Sequence, residues 1–264
     1  MAVIRDVMPV FELYQPASVD DALKLLDRHG TDAWVLAGGL DSMDWLKDRL
    51  RKPKVVVDLT NVAELRGIKE MNGGLEIGAM TTLTEVVKHP VVREKYAILM
   101  QAAELVASPQ IRNQGTIGGN VSQDTRCWYY RGGWTCYRAG GNICYADTPT
   151  AVNREHAIFD ADRCVAVNPS DTAPALVALD AQMVIRGPKG ERVVNAVAAT
   201  PKRLKHVEAF VAGKPRTEET AKAAGEMAVE GAQTLRHNGY KVPLMRNLVK
   251  RAIRGEAAAA PRTT

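Results

Sequence analysis

The sequence has no apolar run near the ~18 residues that a transmembrane helix needs. Hydrophobic residues make up 46% and charged residues 25% of the 264 residues, which is typical of a globular protein with a sizeable core. At the start of the chain, Arg5 and Asp6 interrupt the sequence before an apolar segment of signal-peptide length can form. We therefore predict a cytoplasmic protein with no secretion signal and no membrane span.

Aromatic residues are also few, at 5% of the sequence, and positive charge is spread thinly. The formal net charge is +5, but basic residues cluster only near the C-terminus, at Lys250, Arg251 and Arg254. A nucleic-acid surface usually combines a basic stripe with aromatic side chains that stack on bases. The composition therefore argues against nucleic acid as a partner.

The sequence lacks the Gly-x-Gly-x-x-Gly dinucleotide fingerprint and the Walker loop, so it does not support a Rossmann or P-loop site. Two other glycine-rich segments remain as candidates for phosphate binding. The Gly-Gly turn (residues 37–41) lies where an apolar run ends and a helical pattern begins, and the Gly-rich loop (residues 111–124) holds three glycines and Thr116. Glycines so spaced let main-chain N–H groups converge on phosphate oxygens, although each segment taken alone is equally an ordinary tight turn.

The first 60 residues show a β-α-β-α-β pattern. Apolar runs and helical periodicity predict, in order, an extended start at Phe11, a helix capped by Ser18 and ending before Gly30, a buried strand at 33–37, a helix at 41–50 and a strand at 55–59. Because helical crossovers separate the strands, the strands are expected to be parallel. Residues 1–60 are therefore predicted to form a small parallel lobe.

A mixed pattern follows. It predicts a hairpin around Asn72-Gly73, a helix from Thr82 to residue 87, a helical stretch at 91–106, a helix at 173–180, strands near 183–186 and 193–194, and helices through most of 202–253 with a frayed tail. We assign residues 61–195 to a second lobe and residues 196–264 to a helical C-terminal domain. The predicted class is α+β.

Cysteine is scarce and confined to one place. All four cysteines, Cys127, Cys136, Cys144 and Cys164, fall in the cysteine-rich segment (residues 124–168), at intervals of 9, 8 and 20 residues. Clustered cysteines in a protein without a signal indicate metal before disulfides, and a loop this long needs a source of order. Four thiolates suit tetrahedral zinc or a [4Fe–4S] cluster, while unpaired structural cysteines remain the alternative, since the spacing matches neither a zinc ribbon nor a bacterial ferredoxin.

The same segment gathers Trp and Tyr side chains that either cover a cluster or form a small satellite core. His156, in the same segment, is predicted to cap or pack rather than to bind metal.

Three motifs stand out together: Ala-Gly-Gly-Leu-Asp at 37–41, Ile-Arg-Asn-Gln-Gly-Thr-Ile-Gly-Gly-Asn at 111–120 and Ser-Asp-Thr-Ala-Pro-Ala-Leu at 170–176. This combination resembles the FAD-binding subunits of the xanthine dehydrogenase, or molybdenum hydroxylase, family. The resemblance runs from about residue 11 to 194 and resumes at 237–244. The segment 124–130, together with Cys164, is similar to the flavin subunits of 4-hydroxybenzoyl-CoA reductase and aldehyde oxidoreductase type, which carry four cysteines on an extra [4Fe–4S] cluster.

The resemblance implies a two-lobed FAD-binding (PCMH-type) domain in which both glycine-rich segments hold the FAD pyrophosphate. Carried over by position, the residues implied at the FAD site are Ala37, Gly38, Gly39, Leu40, Asp41, Gly115, Thr116, Ile117, Gly118, Gly119, Asn120, Asp124 and Asp171. The implied cluster ligands are Cys127, Cys136, Cys144 and Cys164.

The sequence departs from this family in two respects. Leu40 replaces the usual Thr, which removes one hydroxyl contact to phosphate. The C-terminal domain is shortened after residue 194, so the flavin ring is expected to be more exposed, covered by a partner, or absent.

The implied function is electron transfer through FAD and a [4Fe–4S] cluster in an oxidoreductase complex. The implied partners are a molybdopterin-binding large subunit, a [2Fe–2S] small subunit and a low-potential electron carrier. No acid–base or nucleophilic residue stands out in the chain, which fits chemistry that cofactors supply. The alternatives are an iron–sulfur relay or scaffold that has lost FAD, and a zinc-stabilised binding module.

Overall fold

The computed structural model of the chain describes residues 8–71, 73–195 and 202–255. The described residues form two compact units. The first unit contains the chain up to Asp124 and the stretch that begins at Asn168, and the second unit contains Thr125–Val167 and the stretch that begins at Lys202. The cysteine-rich segment therefore packs with the C-terminal helices. The lobe boundaries near residues 60 and 195 stay predictions.

The secondary structure alternates short strands with short helices. The elements with their bounds are β1 (Glu12–Tyr14), α1 (Val19–His29), β2 (Ala33–Leu36), α2 (Leu40–Lys47), β3 (Val55–Asp58), β4 (Ile68–Met71), β5 (Gly74–Ile77), α3 (Leu83–Lys88), α4 (Pro90–Lys95), α5 (Ala97–Glu104), α6 (Pro109–Gln114), α7 (Ile117–Val121), α8 (Trp128–Arg131), α9 (Ala173–Ala178), β6 (Gln182–Gly187), β7 (Gly190–Asn195), α10 (Lys205–Val211), α11 (Glu218–Ala228) and α12 (Lys241–Arg254).

The first unit opens with a three-stranded sheet of order β1-β3-β2, in which both strand pairs are parallel, as predicted. The central strand β3 is buried along its whole length. The edge strand β2 is less buried than predicted, and Val35 is 43% exposed, because an edge strand has a neighbour on one side only. Ser18 caps α1 by accepting a hydrogen bond from the Asp21 N–H, and Gly30 ends the helix with φ 51°, so both predicted boundaries are confirmed.

The rest of the first unit packs helices beside two antiparallel hairpins, β4-β5 and β6-β7. Thr82 caps α3 in a reciprocal pair with Glu85, as the sequence predicted for Thr82. The helix predicted at 91–106 is wrong in one respect, because the chain breaks at Tyr96 (φ −128°, ψ 44°) into α4 and α5. Leu83, Val86 and Leu99 are buried at the centre of the core that results.

The Gly-rich loop is more helical than predicted. Ser108 caps α6, which ends at Gly115, and Thr116 then caps the five-residue helix α7. Two glycines inside α7 lower its intrinsic helix propensity, and this is why the pattern alone reads as a loop.

The second unit contains α8, several short turns and the C-terminal helices. Helices α11 and α12 pack closely, and a Cβ at Gly225 would lie 2.7 Å from the Arg246 carbonyl oxygen. Ala224 and Ala228 of α11 are buried in this contact region with Val207. Helix α11 ends earlier than the Ala-rich pattern suggested, and the tail predicted to fray lies outside the described residues. No helix within the described residues is both long and apolar enough to cross a membrane.

Candidate functional site

The Gly-Gly turn joins β2 to α2. Gly39 adopts φ 79°, a left-handed conformation that suits glycine, and serves as the N-cap of the eight-residue helix α2. The main-chain N–H groups of Gly38 and Gly39 make no hydrogen bond within the described part of the chain. The Asp41 carboxylate accepts a hydrogen bond from Trp45 Nε1 at 3.1 Å, which fixes that side chain on the first turn of α2. The turn therefore offers two N–H donors at the positive end of a helix.

The Gly-Gly turn and the Gly-rich loop approach each other backbone to backbone. A Cβ at position 38 would lie 2.3 Å from the Gln114 carbonyl oxygen and 3.2 Å from Gly115 Cα. A Cβ at position 115 would lie 3.3 Å from Leu40 Cδ1. Only glycine fits at position 38, so the two segments that the resemblance assigns to one FAD site are brought together.

The N–H groups of the Gly-rich loop are largely used inside the protein. Ile117 N–H donates to the Thr81 carbonyl oxygen at 2.9 Å, and Gly118 N–H donates to the Ala79 carbonyl oxygen at 2.9 Å. Gly119 N–H donates to the hydroxyl of the buried Thr116 at 3.0 Å. The expectation that these N–H groups converge on phosphate is thus not met by their observed partners. The FAD roles of Thr116, Ile117, Gly118 and Gly119 stay predictions.

Gly118 has a packing role of its own. A Cβ at this position would lie 2.6 Å from the Ala79 carbonyl oxygen and 2.8 Å from Ala79 Cβ. The residue is therefore small because it lies against Ala79, whatever it contributes to a ligand.

Asn120 joins the Gly-rich loop to the Ser-Asp-Thr motif. Its side-chain oxygen accepts hydrogen bonds from Ser170 Oγ at 2.7 Å, from Thr172 Oγ1 at 2.7 Å and from Thr172 N–H at 3.1 Å. Its amide nitrogen donates to the exposed Asp171 carboxylate at 3.4 Å. Asn120 itself is only 7% exposed. The structure therefore brings Asn120 and Asp171 together, while Asp124 lies partly buried at the end of the loop with contacts of its own.

We expect Asn120→Ala to lower the free energy of unfolding by about 3 kcal/mol, because buried donors of Ser170 and Thr172 would lose their shared acceptor. Urea unfolding followed by circular dichroism measures the change. Asn113→Ala is the matched control, since Asn113 is exposed and makes one side-chain hydrogen bond, to Thr84. Equal stability of the two variants would contradict the proposed weight of the Asn120 network.

The four cysteines converge in the second unit. All of them line one small cavity whose walls also include Tyr129, Tyr130, Tyr137 and Tyr145. None of the cysteines is in a disulfide, and Cys136 is buried while the other three are partly exposed. Among the described residues, no group of three or more His, Cys, Asp or Glu side chains is arranged to hold a single metal ion. The cavity thus separates the cysteines rather than drawing them onto one point.

The aromatic side chains form part of the cavity wall and part of the surface. Trp134 contacts Tyr145 edge-on with ring centroids 4.8 Å apart and contacts Tyr129 at 5.3 Å. Trp128 is 71% exposed. The two readings of this aromatic group, as a cover for the cavity and as a small packed core, are therefore both met by different members.

His156 has a contact that sequence reasoning missed. It is buried, and its Nε2 lies 3.2 Å from the Cys127 sulfur. Burial lowers the pKa of His156, so its imidazole is neutral at pH 7, and burial raises the pKa of the Cys127 thiol. The only available signal was a histidine within the cysteine-rich segment.

Comparison with known proteins places this arrangement in a family. The family described as FAD binding domain in molybdopterin dehydrogenase matches residues 9–205, and the CO dehydrogenase flavoprotein C-terminal domain matches residues 189–255. The carbon monoxide dehydrogenase medium chain of Hydrogenophaga pseudoflava is 31% identical over 72% of this chain and 52% of the relative. The aldehyde oxidoreductase FAD-binding subunit PaoB of Escherichia coli is 35% identical over 59% of this chain and 49% of the relative.

A solved structure shows the same fold. A chain of the carbon monoxide dehydrogenase from Hydrogenophaga pseudoflava aligns with a TM-score of 0.69 and 24% identity, covering 96% of this chain and 100% of that one. In sequence, the matches span about half the length of these curated relatives. The α+β class, with a two-lobed FAD-binding domain followed by a small C-terminal domain, is confirmed. The chain therefore belongs to the FAD-binding medium-subunit family of the CO dehydrogenase and xanthine dehydrogenase type of molybdenum hydroxylases.

Proposed function

We propose that this chain is the electron-transfer flavoprotein subunit of a molybdopterin-dependent hydroxylase or dehydrogenase. The observation that carries the proposal is the approach of Gly38 to Gln114 and Gly115, which leaves no room for any side chain at position 38. This approach sets the unpartnered N–H groups of Gly38 and Gly39 beside the Gly-rich loop. A pyrophosphate fits such a place because it accepts hydrogen bonds from N–H groups at the positive end of a helix.

The residues of this chain bind and orient, and bound FAD would supply the redox chemistry. The Gly-Gly turn donates main-chain hydrogen bonds to phosphate, and Asn120 keeps Asp171 beside the Gly-rich loop. Leu40, at the first position of α2, packs toward Gly115 and offers no hydroxyl to phosphate. The thirteen residues implied by the resemblance remain the proposed FAD site.

The proposed partners are a molybdopterin-binding large subunit, a [2Fe–2S] small subunit and a low-potential electron carrier. The relatives support a multisubunit assembly, since they are named as a medium chain and as a FAD-binding subunit. Substrate chemistry would take place on another subunit, which agrees with the absence of an acid–base constellation at the site described above.

We further propose that the cysteine-rich segment holds a [4Fe–4S] cluster on Cys127, Cys136, Cys144 and Cys164. A tetrahedral zinc ion would draw all four sulfurs to about 2.3 Å from one point. A [4Fe–4S] cluster instead places each cysteine on a different iron, so its ligands surround a space. The cavity lined by all four cysteines fits the cluster better than the single ion.

The experiment is a visible absorption spectrum of the anaerobically purified complex, before and after acid precipitation, with iron counted in the same sample. We expect released flavin near one per chain, and iron about four atoms per chain beyond the [2Fe–2S] subunit. Excess iron without flavin would replace the proposal with an iron–sulfur relay or scaffold. Flavin without excess iron would remove the cluster and keep the flavoprotein assignment.

A further inference from the structure

His156 lies against Cys127 from outside the cysteine cavity. Its Nε2 is 3.2 Å from the Cys127 sulfur, whereas the cavity itself is lined by the cysteines and by other side chains. His156 is 2% exposed, and its Nδ1 is buried with no hydrogen-bond partner in the described chain. The Cys127 sulfur is thus the single neighbour toward which this imidazole directs a polar atom among the described residues.

The C-terminal part of the second unit fixes the backbone that carries His156. Lys241 Nζ donates to the His156 carbonyl oxygen at 2.7 Å. The fully buried Asn238 donates from its amide to the carbonyl oxygens of His156 and Ala157, at 3.3 Å and 3.0 Å. His237 N–H in turn donates to the side-chain oxygen of the buried Asn153 at 2.9 Å.

This anchoring explains what residues 237–241 do. They lie outside both glycine-rich segments, and none of their described contacts above involves a glycine-rich segment. Their hydrogen bonds instead hold the stretch from Asn153 to Ala157 in one position. A side chain held from behind in this way keeps a fixed distance to its neighbour.

We propose that His156 is a positioning and tuning residue, which donates a hydrogen bond from Nε2–H to the Cys127 sulfur and sets the reduction potential of the cluster that Cys127 binds. This inference rests on the proposed [4Fe–4S] cluster. A cysteine thiolate, free or bound to iron, accepts hydrogen bonds but has no proton to donate. Nε2 therefore carries the imidazole proton, which leaves Nδ1 as the bare acceptor nitrogen.

The expected effect has a definite sign. A hydrogen bond to a ligand sulfur stabilises the reduced cluster more than the oxidised one, because reduction adds negative charge to the sulfurs. Removal of the bond should make the cluster harder to reduce. We expect about a tenfold fall in the ratio of reduced to oxidised cluster at a fixed potential, which corresponds to about 59 mV for a one-electron couple.

The test compares His156→Leu with His156→Gln in the complete complex. Leu removes the donor, while Gln places an amide N–H near the position of Nε2. His206→Leu is the matched control, since His206 is exposed and its ring nitrogen contacts the Met227 carbonyl oxygen in the same unit. Each sample is titrated electrochemically with the cluster followed by electron paramagnetic resonance, and iron is counted alongside.

A lower potential in His156→Leu, restored in His156→Gln and unchanged in His206→Leu, with iron at the wild-type level in all three, supports the proposal. An unchanged potential in His156→Leu with full iron overturns it. Loss of the excess iron from both His156 variants would show that His156 is itself a ligand and also overturns it. Absence of the excess iron from the wild-type complex overturns the cluster, and this inference with it, before any variant is compared.

Discussion

Gly38→Ala is expected to remove most of the bound FAD, so that released flavin falls below about a tenth of the wild-type amount. The added Cβ would stand 2.3 Å from the Gln114 carbonyl oxygen, a main-chain atom that cannot rotate away. Relief of this clash has to separate the Gly-Gly turn from the Gly-rich loop. Overpacking against backbone costs about 3 kcal/mol, so the melting temperature should fall as well. Flavin fluorescence after acid release and thermal denaturation measure the two effects.

Gly74→Ala is the matched control for Gly38→Ala. Gly74 belongs to the same unit, and a Cβ there would meet its nearest neighbour, the Met71 carbonyl oxygen, at an ordinary 3.6 Å. This variant should keep its flavin. A Gly38→Ala protein with full flavin and an unchanged melting temperature would show that the two segments do not meet as described.

The parallel sheet was predictable because its signals are local. Continuous apolar runs mark β3, and Ser18 and Gly30 mark the ends of α1 by the chemistry of capping. Helix α7 gave no such signal. It contains two adjacent glycines and is held by the Thr116 cap and by Asn120, whose partners lie about fifty residues further along the chain. Contacts between distant segments cannot be read from the local pattern.

The candidate site divides in the same way. The clustering of the cysteines in the sequence was enough to predict that they act together, and all four line one cavity. The hydrogen bonds of the Gly-rich loop were not predictable, because Ala79 and Thr81 carry no motif that identifies them as acceptors. The approach of His156 to Cys127 depends on Asn238 and Lys241, more than eighty residues away in sequence.

Cys136→Ser is expected to lower the iron content by about four atoms per chain while FAD stays at least partly bound. Cys136 is the buried member of the four and lines the same cavity as the others, so its loss removes one corner of the ligand set. The residues proposed to hold FAD belong to the first unit, whereas Cys136 belongs to the second. Iron analysis and the flavin spectrum of one purified sample measure both quantities.

Tyr137→Phe is the control for Cys136→Ser, because Tyr137 lines the same cavity and its substitution removes a hydroxyl but no thiol. It should retain its iron. Cys136→Ser should also be cleaved faster by protease within the cysteine-rich segment, since the described part of that segment contains only short helical turns and would lose the order that a bound cluster gives. Normal iron in Cys136→Ser would show that the four cysteines do not act as one ligand set, and joint loss of iron and flavin would mean that the two units depend on each other for their cofactors.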